Sequence, residues 1–469
     1  PPRRPALAHH VHRLARLGSQ RSFVLTAGII GSGCLAARRL ERPTVFCPAD
    51  QTMFAHGYLR FTRANARFLG FGFTMAFASS VGQTFFIGVF GPAVRHEFGL
   101  SHTSWSAIYM AGTLLSAVAL NWTGPQIDRL PLKRYTTLVC IALVIAAAFM
   151  AQVPSAAWLV LAIFLLRQAG QGLASHVGTT AMARYFEADR GKAVAIAALG
   201  FAAGESLLPV AAVLGIAVLG WRTSYGAAAV LLGLGLLPTI WWLLRHHDAR
   251  HRDHLDRLAR QAPGADTGTG PARAATAPSW SRAEVLRHGT FYLLLPAVLG
   301  PSFIGTALFF HHLELAAVKG WSAAWITGNY WVYALGTVFA SLAAGPLIDR
   351  ITAVRVLPAF LTPMTLGLLV LWGFERAIWV LPYLFLLGLT SGIAFTAVTA
   401  LWAEIYGVRH LGAIRSLVVS LSVLSSALGP LAMGALMDAG FSVEVICGLF
   451  ALYCVAATGL LMLGLRGLR

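Results

Sequence analysis

Twelve apolar runs, each close to the length of one membrane crossing, constrain the fold of this chain more than any other feature. An α-helix needs about 20 residues to cross about 30 Å of hydrocarbon. The predicted spans are Phe68–Phe90, Ser104–Trp122, Tyr135–Val153, Ala157–Ala183, Ala193–Leu219, Ser224–Leu244, Thr290–Leu313, Ala323–Leu342, Leu357–Trp372, Ile378–Trp402, Leu411–Met437 and Val443–Gly464. Only 12% of the residues are charged, about half the share found in soluble domains. The sequence therefore predicts an all-α polytopic membrane protein.

A short charged connector occurs twice in the chain. Gly124–Arg129 reads G-P-Q-I-D-R, and Gly345–Arg350 reads G-P-L-I-D-R. Each copy lies between the second and third apolar runs of its half of the chain. A motif that recurs at a constant position in matching hydropathic context indicates two homologous halves. We therefore predict two pseudo-symmetric six-helix bundles, residues 67–245 and residues 290–469.

The connector resembles the loop signature of the major facilitator superfamily, G-x-x-x-D-R-x-G-R-[RK], between the second and third spans of each half. The residues that match it are Gly124, Asp128, Arg129, Lys133, Arg134, Gly345, Asp349, Arg350 and Arg355. Pro131 stands where the family usually has its inner glycine. The resemblance implies that these residues gate the cytoplasmic side. We expect Asp128 to accept hydrogen bonds from a helix N-terminus, and the basic residues to meet acids such as Glu187 and Asp189.

The distribution of lysine and arginine predicts the orientation in the membrane. Of the 36 lysines and arginines, the loops on one side hold only Arg95, Arg222, Lys319 and Arg376. By the positive-inside rule this side is external, so both termini are predicted to face the cytoplasm of a bacterial-type inner (plasma) membrane. Membrane topology thus accounts for the net charge of +18, and we expect no nucleic-acid partner.

Two segments lack the apolar pattern. Residues 1–66 are rich in arginine and histidine, and we predict a disordered basic extension. A targeting segment around Phe23–Ala37, which is too short to cross a bilayer, is the alternative. Residues 246–289 are polar, with a stretch rich in Gly, Ala, Thr and Pro, and are predicted to form a mobile cytoplasmic linker.

Two charged residues are predicted at similar depth in adjacent spans. Arg167 lies about ten residues into the fourth span and Glu205 about twelve residues into the fifth, which runs the opposite way. Charges at such depth usually face a watery cavity or a partner, so matched depth favours an ion pair. In one interpretation Arg167 binds an anionic substrate and Glu205 carries a proton. The alternative is a permanent salt bridge that fixes helix packing.

Other polar side chains lie in spans that line or border the central cavity in the family. The further candidate substrate-binding residues are Gln83, Thr84, His176, Asn329, Tyr330 and Tyr333. His311 and His312 are adjacent and cannot share one helical face, so we expect no metal site there. We expect no cofactor either. Trp402–Gly407 resembles the end of the tenth span in the monocarboxylate-porter-like bacterial branch of the family, which favours small organic acids as substrates.

The sequence therefore predicts a secondary transporter that moves a small organic solute, most readily an organic anion, by alternating access with proton coupling. The alternative is a proton-driven exporter of drugs or amphipathic metabolites, which an aromatic and apolar cavity would favour. We expect a functional monomer. An intramembrane enzyme is disfavoured, because Glu205 is the only acid near a span centre. A primary pump is disfavoured, because the chain has no G-x-x-x-x-G-K-[ST] loop.

Overall fold

The computed structural model describes residues 59–186, 189–245, 247–252, 280–407 and 409–466. Residues 1–58 of the predicted extension and residues 253–279 of the predicted linker lie outside the described residues, whereas residues 59–64 and 247–252 are helical. A short helix, Arg282–Arg287, precedes the seventh span and begins with a capping box between Ser281 and Glu284. Its hydrogen bonds, first that from the Ser281 backbone N–H, hold the pKa of Glu284 below its ordinary value.

The described part of the chain is built from helices that match the predicted runs. The first span comprises Ala66–Ser79, Ser80–Gly82, Thr84–Val89 and Gly91–Phe98. The second to twelfth spans are His102–Thr123, Leu132–Ala151, Ala156–Tyr185, Arg190–Leu219, Trp221–Leu243, Gly289–Phe310, Ala323–Ile351, Ala353–Gly373, Ala377–Tyr406, Leu411–Asp438 and Val443–Arg466. Among the described residues, 11 helices are long and apolar enough to cross a membrane. The interrupted first span supplies the remaining crossing of a twelve-helix fold.

Each half of the molecule has the same internal packing. In the first half, spans 1 and 5, 2 and 4, and 3 and 6 pack together. In the second half the equivalent pairs are spans 7 and 11, 8 and 10, and 9 and 12. Each half encloses its own hydrophobic core. The predicted pair of pseudo-symmetric six-helix bundles is confirmed.

Glycines let the paired spans approach closely. A Cβ atom at Gly200 or Gly204 of span 5 would overlap the Phe73 carbonyl oxygen or the Ser80 side chain of span 1. In the second half, a Cβ at Gly429 of span 11 would overlap the Phe303 carbonyl of span 7. Backbone contact of this kind requires the small residues that the sequence places four apart in span 5.

The first span is interrupted near its middle. A 3₁₀ turn at Ser80–Gly82 leads into Gln83, which is extended (φ −84°, ψ 156°), and the helix resumes at Thr84. The Phe86 N–H bonds to the Gln83 carbonyl, not to the Gly82 carbonyl as a continuous α-helix would require. The Gly82 carbonyl is therefore left to accept a hydrogen bond from another span.

The outer surface of the bundle is apolar. Val218, Leu234 and Leu342 are exposed although they lie inside apolar helices, and Trp122 and Trp372 are exposed near helix ends. Apolar side chains facing outward, with tryptophans near the ends, are typical of a surface that contacts lipid. The chain is therefore an integral membrane protein.

The two halves are joined at one end of the bundle. We call the end that carries the two G-P-x-I-D-R segments the motif face, and the other end the opposite face. At the opposite face Arg95 Nη1 and Glu314 Oε1 lie 2.7 Å apart. The Asp438 carboxylate accepts hydrogen bonds from the backbone N–H groups of His102 and Thr103, at 3.1 and 2.7 Å. These polar contacts link span 2 and the end of span 1 to span 11 and to the helix His312–Val318, which follows span 7.

Candidate functional site

A central cavity of about 300 Å³ lies between the two halves. Its lining residues are Gln83, Thr84, Phe85, Phe201, Glu205, Pro301, Gly305, Thr306, Phe309, Tyr333, Leu387 and Ser391. A second cavity of about 450 Å³ shares Pro301, Tyr333 and Ser391 with it. This second cavity extends along spans 10 and 11 to Trp402 and Arg415, toward the motif face. The two cavities adjoin at these three residues, and the second one, lined by residues of the second half, reaches from there toward the motif face.

Glu205 is the charged residue that lines the central cavity. It lies in the middle of span 5, one residue after Gly204, whose packing against Ser80 holds this part of span 5 on the interrupted part of span 1. Glu205 forms no ion pair within 4.0 Å with another described residue. A carboxylate at such depth without a fixed counter-ion is available to a proton or to a cationic group of a ligand.

Arg167 lies one layer behind the wall of the central cavity. Its side chain is buried, with only 2% of the residue exposed. Nη1 donates to the Gly82 carbonyl at 3.3 Å and to Thr84 Oγ1 at 3.4 Å, and the guanidinium lies 5.2 Å from the centre of the Tyr109 ring. Arg167 therefore satisfies the carbonyl that the break in span 1 exposes, and it reaches the cavity only through Thr84.

The helix that carries Arg167 is locally widened. Arg167–Ala174 is π-helical, and Gly170 in this stretch packs directly against the Gly82 backbone. A π-helical insertion rotates the following side chains relative to a regular helix. Matched depth favoured an ion pair between Arg167 and Glu205, but no such pair is formed in this structure.

The predicted substrate-binding residues divide into two groups. Gln83, Thr84 and Tyr333 line the central cavity. The other group is not part of this lining. In it, His176 Nδ1 lies 3.3 Å from Thr180 Oγ1 within span 4, and the Asn329 side chain donates to the Trp325 carbonyl at 2.7 Å.

Tyr330 belongs instead to a buried hydrogen-bonded cluster. Its hydroxyl lies 2.7 Å from His312 Nδ1, and His312 Nε2 lies 2.6 Å from the Tyr383 hydroxyl. His311 instead contacts spans 2 and 11: its Nε2 lies 3.2 Å from Ser106 Oγ and 3.0 Å from the Pro430 carbonyl oxygen. The adjacent histidines thus serve different surroundings, as their helical spacing predicts.

Several cavity residues were not singled out from the sequence. Phe85, Phe201 and Phe309 form aromatic walls of the central cavity, and Ser391 also lines it. No sequence pattern distinguishes Ser391 from other serines in apolar spans. Phenylalanines in apolar spans look the same whether they pack in a core or line a cavity. The polar run at Ser79–Thr84 was the available signal for the break in span 1 that places Thr84 at the cavity.

The two copies of the repeated motif make different contacts. Asp128 pairs with Arg184 at the end of span 4, and Arg184 Nη1 also donates to the Ile127 carbonyl at 3.2 Å. Asp128 was expected to accept hydrogen bonds from a helix N-terminus, but its partner in the structure is the guanidinium of Arg184. Asp189 pairs with Lys192 at 2.8 Å, and the predicted partner Glu187 lies outside the described residues.

In the second half a carboxylate does meet a helix start. Glu404, at the end of span 10, accepts hydrogen bonds from the backbone N–H groups of Ala353 at 2.8 Å and Val354 at 3.2 Å. These N–H groups follow the second motif copy and begin span 9. The contact joins spans 9 and 10 within one half, so it is not a contact between the halves.

Comparison with known proteins supports this architecture. A family model described as Major Facilitator Superfamily matches residues 72–430 and again 329–467. No curated protein sequence shows significant similarity to the chain.

Solved structures share the fold at low sequence identity. One is a bacterial homologue of the human lysosomal transporter Spinster, inward-facing and unoccupied, with 15% identity, 86% of this chain and 97% of that chain covered, and a TM-score of 0.59. The inward-facing, occupied form of a bacterial Spinster homologue has 14% identity, with 86% of this chain and 97% of that chain covered, and a TM-score of 0.61. A mutant of the nucleoside transporter NupG gives 12% identity, coverage of 85% and 99%, and a TM-score of 0.62.

Proposed function

The chain belongs to the major facilitator superfamily, and we propose that it is a proton-driven exporter of amphipathic solutes that works by alternating access. The observation that carries this proposal is the chemistry of the central cavity. Its charged lining residue is Glu205, and its walls include Phe85, Phe201 and Phe309. An acid that has no ion-pair partner among the described residues, and that lies among aromatic rings, suits a ligand with an apolar body and a cationic group.

Proton coupling follows from competition at one carboxylate. Glu205 binds either the cationic group of the solute or a proton, because both neutralise the same charge. A proton that enters from one side releases the solute, and loss of that proton on the other side restores the binding form. This is antiport, and it requires that the carboxylate face the cavity, as Glu205 does.

Transport of an organic anion is the second candidate, and one observation favours it. Arg415 lines the second cavity at its end near the motif face. Arg167 lies behind Thr84 of the central cavity. A carboxylate substrate would meet Arg415 on entry. To reach Arg167, it would have to displace the hydrogen bonds that Arg167 makes with Thr84 and Gly82.

The proposed orientation makes this structure an inward-open state. The positive-inside rule places the motif face and both termini in the cytoplasm. The cavity extends toward that face while the halves are joined at the opposite one. The similar Spinster homologue was also solved in an inward-facing conformation. A cysteine at exposed Ser155 should be labelled from the periplasm of intact cells by an impermeant reagent; labelling only after lysis would reverse the orientation.

Transport in proteoliposomes tests the substrate class. We expect a pH gradient to drive saturable movement of a fluorescent lipophilic cation, and labelled carboxylates to move no faster than in empty liposomes. Glu205→Gln should abolish gradient-driven movement. Glu444→Gln, which removes an acid paired with Lys319 outside the cavity, is the matched control. Carboxylate transport that survives Glu205→Gln and is lost in Arg415→Ala would establish the anion candidate instead.

A further inference from the structure

Three side chains at the opposite face keep unused metal-ligating atoms. His102 begins span 2, whereas His311 and Glu314 follow span 7. One ligating atom from each of the three residues lies within 4.8 Å of the other two. His102 Nδ1, His311 Nδ1 and Glu314 Oε2 are each buried and have no hydrogen-bond partner among the described residues. Buried polar atoms are normally paired, so three unpaired ones in a single cluster call for an explanation.

The side chains of His311 and Glu314 are held in place by their other polar atoms, and the backbone of His102 is held by Asp438. His311 Nε2 contacts Ser106 Oγ and the Pro430 carbonyl. Glu314 Oε1 accepts from Arg95 at 2.7 Å. The backbone N–H of His102 donates to Asp438 Oδ1 at 3.1 Å, which fixes the backbone at His102. Such hydrogen bonds orient metal ligands, and in His311 they leave Nδ1 as the free nitrogen.

The charges around the cluster leave room for a cation. With neutral imidazoles, the carboxylates of Glu314 and Asp438 outnumber the guanidinium of Arg95. Two imidazole nitrogens and one carboxylate are the ligand set of many zinc sites. His312, which was considered with His311 from the sequence, takes no part, because it faces Tyr330 and Tyr383.

We propose that His102, His311 and Glu314 form a binding site for a divalent transition metal such as Zn²⁺, which joins the two halves at the opposite face. Tetrahedral ligands about 2.1 Å from an ion lie about 3.4 Å from one another. Ligand atoms within 4.8 Å therefore reach this geometry through side-chain movements of about one ångström. Water would complete the coordination.

Bound metal would act as a brake on the conformational cycle. His102 belongs to the first half, whereas His311 and Glu314 belong to the second. Opening of the opposite face separates these ligands, so metal binds only the closed arrangement and stabilises it by mass action. Zn²⁺ should therefore hold the transporter with this face shut and slow turnover, whatever the transported solute is.

Zn²⁺ titration of the purified full-length protein in lipid nanodiscs tests the site. Isothermal calorimetry should show one binding event that His102→Ala and Glu314→Gln each weaken more than about 10-fold, since even partners that only orient ligands contribute about that much. Co²⁺ in place of Zn²⁺ should show the visible absorption of a four-coordinate site in the wild type only. Neither readout depends on transport, so failure of the proposed substrate class leaves this test intact.

The 15 histidines of the chain make a matched control essential. His96→Ala removes an exposed histidine that follows Arg95 in the helix Gly91–Phe98 and is not one of the three proposed ligands. This variant should bind Zn²⁺ as the wild type does. Because His102 is half-buried at a helix start, His102→Ala is expected to fold even if a variant of buried His311 does not. Zn²⁺ binding that is unchanged in His102→Ala, or weakened as much in His96→Ala, would overturn the proposal.

Discussion

Asp438 should help to set the balance between the two conformations of the molecule. Its carboxylate, at the end of span 11, accepts hydrogen bonds from the N–H groups of His102 and Thr103 at 3.1 and 2.7 Å. These groups open span 2 and have no partner within their own helix. Asp438 therefore supplies, from the other half of the molecule, the anion that a helix N-terminus favours.

The cost of removing this anion can be worked from the two hydrogen bonds. Hydrogen bonds to a charged group contribute about 1.5–3 kcal/mol each when well shielded. Asp438 is exposed, and Asp438→Asn keeps one accepting oxygen. We therefore expect a loss of about 1–2 kcal/mol from the closed arrangement of this face, which is a 5- to 30-fold change in the ratio of the two conformations. The global free energy of unfolding should change less, because both halves retain their own cores.

Double electron–electron resonance measures this ratio directly. Spin labels on Ser155→Cys and Phe441→Cys, both exposed at this face, report the distance between the halves in a background without the natural cysteines. Asp438→Asn should increase the population with the longer distance. Glu444→Gln is the control, because Glu444 pairs with Lys319 inside the second half. An unchanged distance distribution in Asp438→Asn, or an equal change in Glu444→Gln, would refute the reasoning.

Three further substitutions test packing and gating. Gly204→Val should lower stability by about 1–3 kcal/mol through overpacking against span 1, measured as a lower Tm, whereas Gly345→Ala, with open space around it, should not; equal Tm values would exclude the close approach. Asp128→Asn breaks the exposed ion pair with Arg184, so it should reduce transport turnover with little change in Tm; normal turnover would remove the gate assignment. Phe310→Ala removes a ring that lies 4.5 Å from Tyr109 of the first half, so the same spin labels should show more opening, and an unchanged ratio would contradict this.

The sequence predicts the spans well because their cause is local. A helix in lipid satisfies its own backbone groups, so an apolar run of sufficient length defines it. The fifth span was predicted at Ala193–Leu219 and is observed at Arg190–Leu219. The equivalence of the two halves also follows from the sequence, because a duplicated motif implies that the helices of each half pack in the same arrangement.

The candidate site was harder to predict, because depth along a helix does not give direction around it. The sequence predicts a depth for Arg167, but the π-helical stretch and the break at Ser80–Gly82 decide which neighbours it meets. The break leaves the Gly82 carbonyl without its partner in span 1, and Arg167 of span 4 donates a hydrogen bond to it instead. No window of the sequence contains both partners. His102 and His311 are likewise brought together only by the contact between the halves.

The chemistry of the contact between the halves suits a molecule that must come apart there repeatedly. Each half buries its own apolar core, and much of what joins them at the opposite face is polar: an ion pair, two N–H groups on a carboxylate, and a histidine on a serine. Exchange of such groups with water costs little in net free energy. An extensive apolar seam would cost far more to open. Phe310, which inserts into the core of the first half, is an apolar contact that opening must break in addition to these polar groups.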